Sequence, residues 1–78
     1  MNNLKPTMSQ ARYIKAIDNF QNKRGYSPGF NDISIVMRVA HNAAFEMMNR
    51  LEKKGFIEIV TAKGLVKKIT ITEAGRAE

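Results

Sequence analysis

The chain has 78 residues, with 13 Lys/Arg against seven Asp/Glu, a net charge of +6, and 44% hydrophobic residues. Without cysteine it can form no disulfide and hold no thiolate chemistry, and its sequence has neither an apolar run of membrane-spanning length nor a signal-peptide apolar region. The expectation is one cytoplasmic domain over residues 1–78, with a core worth about 3–5 kcal/mol and a positive field that favours polyanions.

Residues 1–6 read as a flexible lead-in. Thr7-Met8-Ser9-Gln10 then forms a capping-box pattern, in which the Thr7 hydroxyl and the Gln10 side chain satisfy orphan amides reciprocally. A helix is predicted from Met8 to Arg24, with Ile14, Ile17 and Phe20 on its apolar stripe, Ala11 and Tyr13 beside it, and Gly25 as terminator. After the turn Gly25-Tyr26-Ser27-Pro28-Gly29, a second helix is predicted from about Phe30 to Arg38. Ile33, Val36 and Met37 form its apolar face, and Asp32 lies in its first turn. Val39-Ala40-His41 is a tight connection to a third helix over about Asn42 to Lys54. There Ala44, Met47, Met48 and Leu51 fall at i, i+3, i+4 and i+7, and Gly55 ends the run.

The period then changes from 3.6 to 2. Phe56–Val60 and Val66–Thr72 read as strands, joined by the hairpin tip Thr61-Ala62-Lys63-Gly64-Leu65. In the tail, 73–78, Thr72 can cap one last helical turn that Gly75 would break. Helix, helix, short turn, helix, hairpin is an α+β, mostly α arrangement with the layout of a winged helix-turn-helix.

Within that layout, Arg24-Gly25-Tyr26-Ser27-Pro28 and Arg50-Leu51-Glu52-Lys53-Lys54-Gly55-Phe56-Ile57 resemble the DNA-binding domain of LexA-type repressors. The resemblance runs from about Thr7 to Ile71 and is densest at Asn42-Ala43-Ala44 and Leu51–Val60. Ile71-Thr72-Glu73-Ala74-Gly75-Arg76 is similar to the phrase that follows the wing in many winged helices, MarR-like ones included. LexA repressors also carry a self-cleaving Ser/Lys protease domain. This sequence has no such segment, so the resemblance implies a stand-alone DNA-binding module. Three departures stand out: Gly29 where the family places a Ser or Thr cap, a turn one residue shorter before the third helix, and Phe45 where a polar residue is expected.

In a helix-turn-helix the last helix enters the major groove and its N-terminal part reads base edges. The candidates there are Asn42, Ala43, Phe45, Glu46 and Asn49. Asn can bond adenine N6 and N7, Glu can accept from cytosine N4, and apolar groups can meet a thymine methyl. Asn42 equally suits a helix N-cap, and Glu46 and Asn49 a solvated face. Phe45 has three uses: a thymine methyl, an anchor in a protein interface, or packing on the first or second helix.

Candidates for phosphate contact are Ser27, Arg38, His41, Arg50, Lys53, Lys63, Lys67 and Lys68, with Tyr26 and Lys54 flanking them. The wing lysines also suit protection of a strand edge. His41 is the sole histidine, and without cysteines or clustered carboxylates it makes no zinc site. No catalytic constellation, cofactor motif or metal set is present, so no enzyme is expected. The reading is a sequence-specific regulator of transcription that binds double-stranded DNA, a small repressor of the phage or mobile-element kind, working as a homodimer or cooperatively. The alternatives are a protein-interaction module (an accessory or anti-repressor subunit) using the Phe45 face, or a component of a replication or partition complex.

Overall fold

The computed structural model describes residues 5–76; most of the expected lead-in and the last two residues of the tail lie outside the described residues. The order is α1 (Met8–Arg24), α2 (Phe30–Met37), α3 (His41–Lys53), β1 (Ile57–Ala62), β2 (Leu65–Ile71) and α4 (Glu73–Arg76). Three helices followed by an antiparallel two-stranded hairpin form a winged helix-turn-helix, as the change of period implies.

The capping box at the start of α1 is complete. The Gln10 amide donates to Thr7 Oγ1 at 3.2 Å, and the Thr7 amide donates to Gln10 Oε1 at 2.8 Å. Gly25 ends the helix in the left-handed region at φ 81°, donating to the Gln21 carbonyl at 2.8 Å. Tyr13, Ile14 and Ile17 are buried, whereas Phe20 is only half-buried and Ala11 is exposed.

The second helix ends at Met37, one residue before its predicted limit, because Arg38 turns left-handed (φ 58°, ψ 47°) to close the C-terminus. Gly29 has no side chain with which to cap α2. Asp32 compensates by reaching back to accept from the Gly29 amide at 2.9 Å. Ile33 is fully buried, Ser34 accompanies it, and Met37 is half-buried. Val36 belongs elsewhere: it is 49% exposed and is not part of the core face.

The third helix starts at His41, one residue earlier than predicted, with Ala40 as its N-cap and no side-chain capping bond. Asn42 is therefore its second residue, which removes the capping use of its side chain. Ala44, Met48 and Leu51 are fully buried, and Met47 packs at their edge.

The hairpin turn is tighter than the predicted five-residue tip. It consists of Lys63 and Gly64 alone, both at positive φ (54° and 78°), the backbone that suits the twist of a two-residue hairpin. Ile57 faces Ile71 and Ile59 faces Ile69 across the strands, and this inward set closes the core. Phe56, placed in the first strand by its pattern, precedes it and is buried under it. The pairing shifts between Val60 and Thr61, so that Lys67 has no opposite residue and forms a bulge.

Thr72 caps the last turn as expected, its hydroxyl accepting from the Gly75 amide at 3.2 Å. Gly75 does not break that turn; it lies buried within α4. The reason for glycine is space, since a Cβ here would run into the Phe56 carbonyl. Arg76 pairs loosely with Asp18 of α1 at 3.7 Å, a solvent-exposed contact worth little.

Candidate nucleic-acid interface

The amphipathic division of α3 builds the first part of the site. With Ala44, Met48 and Leu51 committed to the core, the stripe Asn42, Phe45, Glu46, Asn49 and Lys53 (i, i+3, i+4, i+7, i+11) must point the opposite way. All five are exposed, as are the flanking Ala43 and Arg50. Every residue expected to read bases therefore lies on the solvent side of one helix. Of the three uses expected of Phe45, the structure shows packing on the second helix. Its ring meets Phe30 edge-on, with centroids 4.9 Å apart and planes at 69°, while 44% of it stays exposed. It ties the start of α2 to the reading helix and still presents apolar surface outward.

The second part is the wing. Ser27, Lys67 and Lys68 line one cleft of about 420 Å³, together with Tyr26 and Gln21. Successive residues of a regular strand point to opposite faces. Here Lys67, Lys68 and Ile69 all line the cleft, and Lys67 stands at the bulge. Lys63 stands at the turn, exposed. Arg38 and His41 are exposed on either side of the α2–α3 turn and line neither this cleft nor the α3 stripe.

Ser27 has a structural task that its type alone does not announce. Its Oγ accepts from the Ile69 amide at 2.9 Å and from Gln21 Nε2 at 2.9 Å. The second Nε2 hydrogen of Gln21 reaches the Ile69 carbonyl at 2.7 Å. Both backbone groups of Ile69 on the open side of β2 are thus satisfied by the α1–α2 region, which fixes the wing to the helices and blunts a strand edge. Only the hydroxyl hydrogen of Ser27 remains to donate elsewhere. Glu52 provides the corresponding link from α3, its carboxylate accepting from the Ile59 amide at 3.3 Å. Gln21 and Glu52 escaped sequence reasoning because each sits on a helix face that reads as solvated. Their partners are backbone groups 48 and seven positions away.

A reading helix after a three-residue turn, with a lysine-bearing hairpin tied to it, defines the DNA-binding class of winged helix-turn-helix proteins. The chain matches the LexA DNA binding domain family over residues 1–64 and belongs to that family. Its partner is double-stranded DNA, and its general role is that of a DNA-binding regulator. The match ends at Gly64, the hairpin turn, so the return strand and α4 are known from the structure. No curated protein matches the sequence. Among the described residues, no helix is long and apolar enough to cross a membrane, and no group of three His, Cys, Asp or Glu side chains converges as a metal site.

Proposed function

We propose that residues 1–78 are a single sequence-specific module that represses transcription by occupying an operator, without catalysis, in the manner of the small repressors of phages and mobile elements. The observation that carries this reading is the outward stripe of α3. It holds two amides, a carboxylate, an aromatic ring and a lysine on a surface opposite the buried Ala44, Met48 and Leu51. In this reading Asn42 and Asn49 pair with adenine edges, Glu46 accepts from cytosine, and Ala43 and Phe45 meet thymine methyls. Arg50, Lys53, Lys63, Lys67 and Lys68 hold phosphates, with Ser27, Arg38 and His41 adding contacts at the margins. A single module of this size makes few contacts, so two copies bind adjacent half-sites, as a homodimer or cooperatively.

Selection from random duplexes, followed by titration of the winning site at several salt concentrations, tests the proposal. Four to six phosphate contacts per copy give a log–log slope of about −4 to −5 for each copy bound. Glu46→Ala should relax the preference at one base pair by about 1–3 kcal/mol. No enriched sequence, or affinity independent of salt, would overturn the assignment. The exposed part of Phe45 favours one other reading, an anchor for a protein partner. Phe45→Ala separates the two: weaker discrimination at a thymine supports base contact, and intact DNA binding with loss of a protein complex supports the anchor.

A further inference from the structure

The opposite side of α1 carries a feature that DNA binding leaves unused. Its core face takes Gln10, Tyr13, Ile14 and Ile17. Its outer face runs against the last turn of α2 and encloses a groove of about 810 Å³. The floor is apolar, made by Ala16, Phe20, Val36 and Met37. Phe20 is held in place by edge-on packing against Tyr26 at 5.5 Å and by the Arg24 guanidinium 5.4 Å above its ring. The rim is cationic: Arg12, Lys15, Lys23 and Arg24 line the groove, and no Asp or Glu does. No residue of α3 or of the hairpin takes part.

We infer that this groove docks an acidic amphipathic helix of a partner protein, with apolar side chains laid along the floor and carboxylates meeting the four cations. Charge complementarity selects that occupant. A DNA backbone would answer the cations but gain nothing from Phe20, Val36 and Met37, whose burial is favourable only against apolar atoms. A second copy related by a two-fold axis would bring the same four cations onto themselves. A helix with apolar residues at i, i+3 and i+7 and Asp or Glu beside them satisfies both halves of the surface, in the helix-in-groove manner. The 49% exposure of Val36, which lines the groove beside half-buried Phe20 and Met37, leaves apolar surface there for an occupant to cover.

The test uses the whole chain and a fluorescent peptide of about four helical turns, Leu at i, i+3 and i+7 with Glu on the flanks, beside a shuffled peptide of the same composition. Binding of the patterned peptide alone is the expected result. Val36→Glu, a surface change whose folding is checked by circular dichroism and thermal melting, should weaken it about tenfold by placing a carboxylate on the apolar floor. The pair Lys15→Glu and Lys23→Glu should weaken it as much at low salt and far less at high salt. Affinity for duplex DNA should stay within about twofold in the Val36→Glu protein, since the groove shares no residue with α3 or the wing. Equal binding of the shuffled peptide would reduce the effect to charge attraction and overturn the inference. So would full binding by folded Val36→Glu protein, or displacement of the peptide by duplex DNA, which would make the groove part of the nucleic-acid surface. Binding of phosphatidylserine vesicles with none of the peptide would assign it to lipid instead.

Discussion

The two ends of the hairpin obey different rules. At the base, Ile57, Ile59, Ile69 and Ile71 pair across the strands and face the core, while Gln21 and Ser27 hold the backbone of β2 and Glu52 that of β1. Beyond the bulge at Lys67 only Val66 still packs, half-buried, against the core; Leu65 is 70% exposed, and Thr61, Ala62 and Lys63 are exposed as well. A two-stranded ribbon is marginal by itself, so the tip is held in place by the base and by the one contact of Val66 with the core. The comparison divides one element into a packed base and a largely exposed tip, with the bulge as the boundary. Substitutions at the base should change melting, and substitutions at the tip should change DNA binding alone.

The sharpest test of the base is Gly75→Ala. The methyl group would meet the Phe56 carbonyl, which already accepts the Thr72 amide at 3.0 Å, and it would crowd Ile71 as well. Backbone rather than a flexible side chain must give way, so the expected loss is about 2–3 kcal/mol. In a chain this small that is a large part of its stability. Chemical denaturation should show it as a lower midpoint with the slope unchanged. A wild-type midpoint would mean that α4 is detached from the hairpin in solution and that the base extends no further than Ile71.

A smaller effect is expected from the link between wing and helices. Ser27→Ala leaves the Ile69 amide without its acceptor and Gln21 with one bond fewer, for a cost of about 1–2 kcal/mol. Gln21→Ala frees the Ile69 carbonyl and should cost a similar amount. The pair also decides how Ser27 serves DNA. Equal weakening of DNA affinity in the two variants means that Ser27 acts by positioning the wing. Weakening in Ser27→Ala alone means that its hydroxyl meets a phosphate.

Much of this architecture was legible because it is local. The capping box, the left-handed Gly25 and the α3 core residues Ala44, Met48 and Leu51 each follow from residues within a few positions of one another. Apart from Val36, which helical spacing put on the core face, the main misplaced features depend on distant partners or on positive φ at residues other than glycine. Arg38 closes α2 in a conformation that arginine does not advertise, and this moves the turn and the start of α3 by one residue. Gly75 reads as a breaker until the Phe56 carbonyl, 19 positions earlier in the chain, is seen beside it. For the candidate site, helical periodicity alone placed Asn42, Phe45, Glu46 and Asn49 outward. That Ser27 lines one cleft with Lys67 and Lys68, some 40 positions later in the chain, no strand pattern announces.

The tip should be nearly silent in stability and audible in salt dependence. Changing Lys67 and Lys68 together to Gln removes two phosphate candidates from exposed positions and should reduce the salt slope by about 1.8 per bound copy, with melting unchanged. Lys63→Asn is the finest test, because the two possible effects of that lysine run in opposite directions. Lys63 occupies the left-handed region at φ 54°, where asparagine is more at ease, so the substitution should hold or slightly raise stability, by a few tenths of a kcal/mol. It also removes the one charge at the turn, and the salt slope should fall by about 0.9. A protein that melts no lower yet binds duplex DNA with a shallower slope places Lys63 on a phosphate. An unchanged slope would leave Lys63 as a turn residue only and shift the phosphate contacts of the wing to the lysines at the bulge.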